Sequence, residues 1–469
     1  MLLLGGLVGG CVHYAAKPLS PEQSASALEN RTLDDPGLRA FLEKNLHRDP
    51  ADWPPRFWDF EMLALSAFYY HPDMEVARAE WDVARAGILT AGGRPNPSAT
   101  LTPSYNFDHI NAGPGLTPWL PMVSFDLPLE TAGKRGDRIR QANALSESAR
   151  LNIVSTAWRV RGEVRSSLLA FIADGKREAL LQPQIAIQEQ ILTLLDQQVQ
   201  AGAAARSDMA LFRIALQKAR IELAEARRQR AEDRAALAES IGIPVRALDG
   251  VEFATNWLNT ADEATAANLT SAQLRHQAML GRADVLAGLS DYAAAEADLQ
   301  LEIAGQYPDV HLGQGYEYDQ GDNIWSLSLT LDIPVLNKNQ GPIAEANARR
   351  TEAAARFKAL QAKVLADIDT AVESFHATEG SVAMLRSLLD EQAKSRDAIE
   401  AQLKAGALAP LDLLDAQLDF ATAQAEQFDA QVKLQQSLAA LEDALQRPIS
   451  TMGPAVVEGG LSANKEEKP

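Results

Sequence analysis

The chain has 469 residues, with 63 acidic against 44 basic side chains, a formal charge of −19 and 46% hydrophobic residues. That apolar content excludes wholesale disorder, the acidity disfavours a nucleic-acid partner, and a single cysteine excludes a disulfide framework or a multi-cysteine metal centre. The 7 histidines are scattered, with no two on one helix face at close spacing, which argues against a zinc enzyme.

In chain order the first element is LLLGGLVGG, residues 2–10, a short apolar run ending directly before Cys11. It is too short to span a bilayer, which takes about 20 residues, but it fits the apolar core of a secretory signal. Small residues before a cysteine look like a bacterial lipoprotein leader. Residues 1–10 are therefore expected to be a signal peptide and Cys11 to be lipidated. Val12 stands where an aspartate would favour the inner membrane, so the outer membrane is expected. Residues 11–56 are rich in polar residues and proline and read as an extended linker.

Beyond residue 56 the chain repeats itself. The stretch QVQAGAAARSDMALFRIALQKA (198–219) recurs as QLKAGALAPLDLLDAQLDFATA (402–423). Gly202 and Gly406, Asp208 and Asp412, and Pro244 and Pro448 all share one spacing. The expected units are a first copy at 57–244, a connector at 245–268, a second copy at 269–448 and a disordered tail at 449–469. Each copy runs helix, two short strands, very long helix, glycine-marked turn, long helix. The segments 132–200 and 340–404 are dense in Ala, Leu, Gln, Glu and Arg, all good helix formers. At 1.5 Å per residue each would extend roughly 100 Å, too long for a compact domain, so these helices must pack side by side.

The strands, at about 98–108, 119–129, 309–319 and 324–333, alternate apolar and polar residues. Over about ten residues this is the pattern of a tilted transmembrane β-strand, although a half-buried sheet in a soluble domain alternates too. Phe107, Trp119, Tyr318 and Trp325 fall at strand ends, where an aromatic girdle belongs. Four strands cannot close a barrel and an open edge in lipid is forbidden. The chain must therefore oligomerise about the membrane normal, two copies giving eight strands and three giving twelve.

With these features the sequence resembles the TolC-type outer-membrane efflux channels over residues 57–448. The most specific parts are the duplication, the strand–helix order and the turn AGALAPLDLLDAQ (405–417). GRPNP (93–97) and LPLETAGKRGDRI (127–139) are similar to the heavy-metal-exporter branch. The resemblance implies an α+β membrane protein: a homotrimer whose twelve-stranded β-barrel, four strands per chain, continues into a long α-helical periplasmic barrel. It also implies an equatorial belt built partly from 245–268 and the chain ends. Such a protein would be no enzyme and carry no cofactor. It would sit in outer-membrane lipid as the exit duct for metal cations or small molecules, reached through a periplasmic adaptor from an inner-membrane pump of the resistance-nodulation-division type. No P-loop, nucleophile elbow or paired metal-ligand motif appears. The rival reading is a periplasmic coiled-coil adaptor or scaffold without a pore, which leaves four alternating strands unexplained.

Asp412, Asp415 and Asp419 share a helix face. By resemblance they form carboxylate rings that constrict the periplasmic mouth and favour cations. The plainer account is acids stabilised by the helix dipole in a first turn. The first copy has Asp208 but Leu211 in place of a second acid, so the ring is expected from the second copy alone. The tips, carrying Gly202, Arg206, Ser207 and Asp208 in one copy and Gly406, Leu408 and Pro410 in the other, are expected to face the adaptor. There Gly202 and Gly406 would end helices, Ser207 would cap the next helix and Pro410 would begin one. Arg206 is a candidate to pair with acids across a closed mouth. Lys134, Arg135 and Arg138 follow the second strand, as a solvated face or as contacts to lipid head groups. His311 holds a polar strand position where it could touch a metal cation, although a lone histidine is more often just a polar residue.

Overall fold

The computed structural model describes residues 13–46, 53–107, 117–203, 205–255 and 271–449; the expected leader, Cys11 and positions 450–469 lie outside them. In chain order the elements are α1 (Pro21–Glu29), α2 (Pro36–Leu46), β1 (Phe57–Trp58), α3 (Phe60–Tyr70), α4 (Pro72–Ala91), β2 (Ser98–Tyr105), β3 (Trp119–Leu129), α5 (Lys134–Gln200) and α6 (Asp208–Ile241). A 3₁₀ turn (Val245–Leu248) and β4 (Glu252–Phe253) lead to the second copy: α7 (Ser271–Gly281), α8 (Ala283–Ala304), β5 (Val310–Asp319), β6 (Asp322–Leu331), α9 (Gln340–Lys404) and α10 (Pro410–Leu445).

The expected linker is corrected by α1 and α2. Pro21 and Pro36 stand at the first helical position, where a missing N–H costs nothing. Ser20 caps α1 by accepting from the Gln23 N–H at 3.4 Å, and Asp35 caps α2 by accepting from the Leu38 N–H at 2.9 Å. Three buried leucines of α2, Leu38, Leu42 and Leu46, pack it into the core. Two of the prolines that mark the expected linker are thus helix starts.

The two long helices match expectation: α5 has 67 residues, running through Pro183, and α9 has 65. Each is flanked by two shorter helices set end to end, α4 and α6 along α5, and α8 and α10 along α9. The joint between α6 and α4 is tight. Gly242 ends α6 at φ +83°, and a Cβ there would lie 2.8 Å from the Tyr70 carbonyl oxygen. Arg31 donates to that oxygen at 2.6 Å and to the Gly242 carbonyl at 2.9 Å. The second copy repeats the joint with other residues: Arg282 donates to the Ala444 carbonyl at 2.5 Å, and the Gln446 side chain accepts from the Ala283 N–H at 2.8 Å.

Both joints lie in apolar cores, one gathering Leu38, Trp58, Leu63, Met74, Val164 and Leu237, the other Leu274, Val364, Ile368, Leu438 and Leu441. A buried ionic node ties the copies together. Glu442 of α10, fully buried, accepts from Arg161 of α5 at 3.0 Å and also from Arg165. The Arg161 guanidinium lies 5.0 Å from the Phe60 ring centre and 4.9 Å from that of Trp158, a stacked arrangement that lysine could not reproduce. The short parallel ladder Phe57↔Glu252 and Trp58↔Phe253 closes the same region.

The four long strands form one antiparallel sheet in the order β2-β3-β5-β6. β3 has the expected bounds and β5 begins one residue later than 309, while β2 ends at Tyr105 rather than near 108 and β6 begins and ends two residues earlier than 324–333. Cross-strand neighbours Leu101, Val123, Tyr316 and Trp325 run across one face, as do Leu127, Leu312 and Leu329. This apolar face is exposed: Leu101 is 69%, Leu327 83% and Leu329 62% accessible.

Removing one partner of a buried pair leaves its charges uncompensated, at a cost of about 3–5 kcal/mol. Glu442→Ala is expected to lose that much, seen as an earlier loss of helical circular dichroism on denaturation. Neighbouring Asp443 has its carboxyl pushed up to about 6 by burial, against the pull of Arg161, Arg165 and Arg282. The folded state therefore holds an extra proton between about pH 4 and 6, and stability falls as pH rises through that window. Asp443→Asn is expected to flatten this slope, as read from denaturation midpoints across pH 4–7.

Candidate functional site

The described features that bear on function sit at the two ends of the helices. At one end, α5 turns into α6 and α9 into α10 by the same device. Gly202 (φ +75°) and Gly406 (φ +73°) adopt the left-handed conformation. The N–H groups of Ala203 and Ala407 reach back to the Gln198 and Gln402 carbonyls at 2.8 and 2.9 Å. This is the helix-ending motif expected of glycine there.

The way out of each turn differs. Pro410 starts α10 as expected, and Asp412 accepts from the Ala409 N–H at 2.8 Å, closing the first turn. Ser207, expected to cap α6, has helical backbone angles and makes no side-chain cap hydrogen bond. A cap residue needs extended geometry to aim its oxygen at the following N–H groups, so this expectation is corrected. Asp208 opens α6, Leu408 is half-buried and Arg206 is exposed.

The two tips are seamed together by an apolar cluster. Ile191 and Leu195 of α5 and Met209 of α6 pack against Leu411, Leu414 and Leu418 of α10. Asp412, Asp415 and Asp419 each follow one of these leucines by one residue, about 100° around the helix, and all three are exposed. Partial burial, then the charges of Asp419 and Asp412, raise the Asp415 carboxyl above the usual carboxylate range. Three acids thus share one face closely enough for their charges to couple. Among the described residues no ion pair joins Arg206 to them.

At the other end, the hairpins β2–β3 and β5–β6 point the same way and carry the aromatics. Tyr105 meets Trp119 across the strands at 5.1 Å and Phe107 at 4.9 Å, while Tyr316 meets Trp325 at 5.0 Å. Phe107 is 84% and Trp325 70% accessible; Tyr318 is half-buried. Tyr105 and Tyr316 extend the expected girdle, and their place in the apolar rows was the signal for them. Among the described residues no helix is long and apolar enough to cross a membrane.

Where sheet meets helices, the three cations read as a solvated face or as lipid contacts are tied within the chain. Lys134 donates to the Tyr307 carbonyl and to Asp309, both at 2.8 Å. Arg135 donates to the Gly92 carbonyl at 2.7 Å. Arg138 grips Glu130 with both terminal nitrogens, and that hydrogen bond holds the Glu130 carboxyl low against the opposing effect of burial. Burial would raise Asp309, but Lys134 and the Thr131 N–H hold it low. These side chains weld the strands to α4, α5 and α8.

Because Asp412 also closes a helical turn, Asp412→Ala is expected to speed amide hydrogen exchange over residues 411–416. Asp415→Ala and Asp419→Ala should leave that exchange unchanged.

This arrangement has known counterparts. The chain is 22% identical over 348 residues to the cobalt-zinc-cadmium resistance protein CzcC of Cupriavidus metallidurans, covering 74% of this chain and 79% of that one. It superposes on a membrane protein from Pseudomonas aeruginosa with a TM-score of 0.65 at 20% identity, covering 82% of this chain and 92% of the other. The CmeC outer membrane channel of Campylobacter jejuni gives 0.66 at 14% identity, with 89% of each chain covered. The model of the outer membrane efflux protein family matches residues 66–243 and 254–446, both copies of the repeat, and the chain belongs to that family.

Proposed function

We propose that the protein is the outer-membrane exit duct of a tripartite efflux system. The observation that carries this reading is a four-stranded sheet with an exposed apolar face and an aromatic end, fused to helices about 100 Å long. An apolar sheet face that the described residues leave exposed fits lipid. Among the described residues the outer edges of β2 and β6 have no partner strand, and edges inside a bilayer must be paired. Three copies would pair them as a twelve-stranded barrel, and their helices would enclose a periplasmic tunnel. Cys11 would carry the lipid anchor, and the tips around Gly202, Arg206, Ser207, Asp208, Gly406, Leu408 and Pro410 would meet a periplasmic adaptor and through it an inner-membrane pump. Transport is passive in the duct itself.

The exposed face of Asp412, Asp415 and Asp419 would form the carboxylate rings at the periplasmic mouth, favouring cations there. The likeness to a cobalt-zinc-cadmium resistance protein favours divalent metal cations as cargo. A pore-free adaptor or scaffold has no use for an exposed apolar sheet.

The test is single-channel recording in planar bilayers. Asp412→Asn with Asp415→Asn removes charge while keeping an oxygen at position 412 to close the helical turn. The wild type is expected to show a small cation-selective conductance, and the double variant a larger one with the cation preference lost. Unaltered selectivity would move the gate elsewhere. A protein extracted without detergent and without conductance would favour the scaffold.

A further inference from the structure

One polar pair on the sheet is not used by any of this. His311, the second residue of β5, lies diagonally across from Asp126 of β3, on the face opposite the apolar rows. Its Nδ1 stands 2.9 Å from the Asp126 Oδ2. A carboxylate can only accept, so Nδ1 carries the proton and Nε2 of the neutral ring keeps its lone pair. Proteins orient metal-binding histidines in this way, with a carboxylate holding the far nitrogen.

The surroundings leave that lone pair accessible. The side chains of His311 and Asp126 are 41% and 42% exposed. The next residues of β5 on this face are Gly313 and Gly315, and a side chain on either would collide with the hydroxyl of Ser328 or Ser326. The strand therefore carries no bulk beside the ring. Asp309 and Asp332 are near enough for their charges to act on the imidazole, so the position is electronegative. Imidazole binds zinc, copper or nickel in preference to hard magnesium. Among the described residues no three His, Cys, Asp or Glu side chains converge to hold an ion. The pair therefore suits brief contact with a passing ion, and conduction requires binding weak enough to release.

We infer that His311, oriented by Asp126, is a cation contact point where the sheet meets the helices, which takes borderline-soft divalent ions such as zinc through Nε2. It rests on the duct reading only in that the polar face then lines the lumen and three copies of the pair ring the passage. Asp126 is a positioning residue. A purely structural cross-strand pair would affect stability without discriminating zinc from magnesium.

The test compares zinc with magnesium as blockers of the current through untagged wild-type, His311→Gln and Asp126→Asn proteins. In parallel, zinc binding to the detergent-solubilised proteins is measured by competition with a chromophoric chelator. Zinc is expected to block the wild type at concentrations where magnesium does not, and His311→Gln to reduce zinc block to the magnesium level. Asp126→Asn should weaken it roughly 10-fold or more. His311→Gln should also bind fewer zinc ions per chain. Equal zinc block and equal zinc binding in wild type and His311→Gln overturn the proposal and leave the duct intact. Zinc binding that depends on His311 in a protein without conductance upholds the contact point and overturns the duct.

Discussion

An open edge of a β-sheet is a row of backbone donors and acceptors that must find partners, and in a bilayer no water supplies them. Among the described residues the sheet has two such edges, β2 and β6, and an exposed face of leucine, phenylalanine and tryptophan. Within a bilayer a single copy of such a sheet would leave those edges unsatisfied. Much of the rest of the described fold holds the four strands in a fixed register against the helices.

The sheet is held by its junction with the helices. Lys134, Arg135 and Arg138 are spent on the carbonyls of Gly92 and Tyr307 and on the carboxylates of Asp309 and Glu130. That leaves little freedom between the strands and the 67-residue α5. Farther along, each long helix would be a weakly held rod without the shorter helices stacked end to end beside it. The stacking joints use different chemistry in the two copies, a glycine pressed against Tyr70 in one and Arg282 with Gln446 in the other. The copies share geometry more than side chains. The node of Glu442, Arg161 and Arg165 joins them where the two joints come level, and its buried charge makes their relative position specific rather than merely adhesive.

At the opposite end one short segment of α10 serves two purposes. Its leucines, Leu411, Leu414 and Leu418, fasten the two tips together, and the same three-to-four residue spacing lines up Asp412, Asp415 and Asp419 about 100° around the helix, where they are exposed. Asp412 is also a helix-closing residue. The charge proposed for a periplasmic mouth and a cap at a helix start are compatible demands, because both want an exposed carboxylate in the first turn.

Periodic features were legible in the residues themselves. The duplication, the four alternating strands, the long proline-poor helices, the glycine turns and the shared face of the three acids all follow from local spacing, and local spacing survives folding. The N-terminal prolines are ambiguous because proline signals both loops and helix starts, and only the burial of Leu38 and Leu42, in the helix that packs on α3, decides between them. The cap at Ser207 failed for a related reason, since residue type was right but the backbone angles were not. Tertiary structure alone revealed the roles of the junction cations, the Glu442 node and the pairing of His311 with Asp126. Apart from Arg138 and Glu130, which lie 8 positions apart, these join residues distant in the chain, 185 positions for His311 and Asp126 and 281 for Arg161 and Glu442. No one-dimensional pattern records a contact that exists only once two distant segments are packed together.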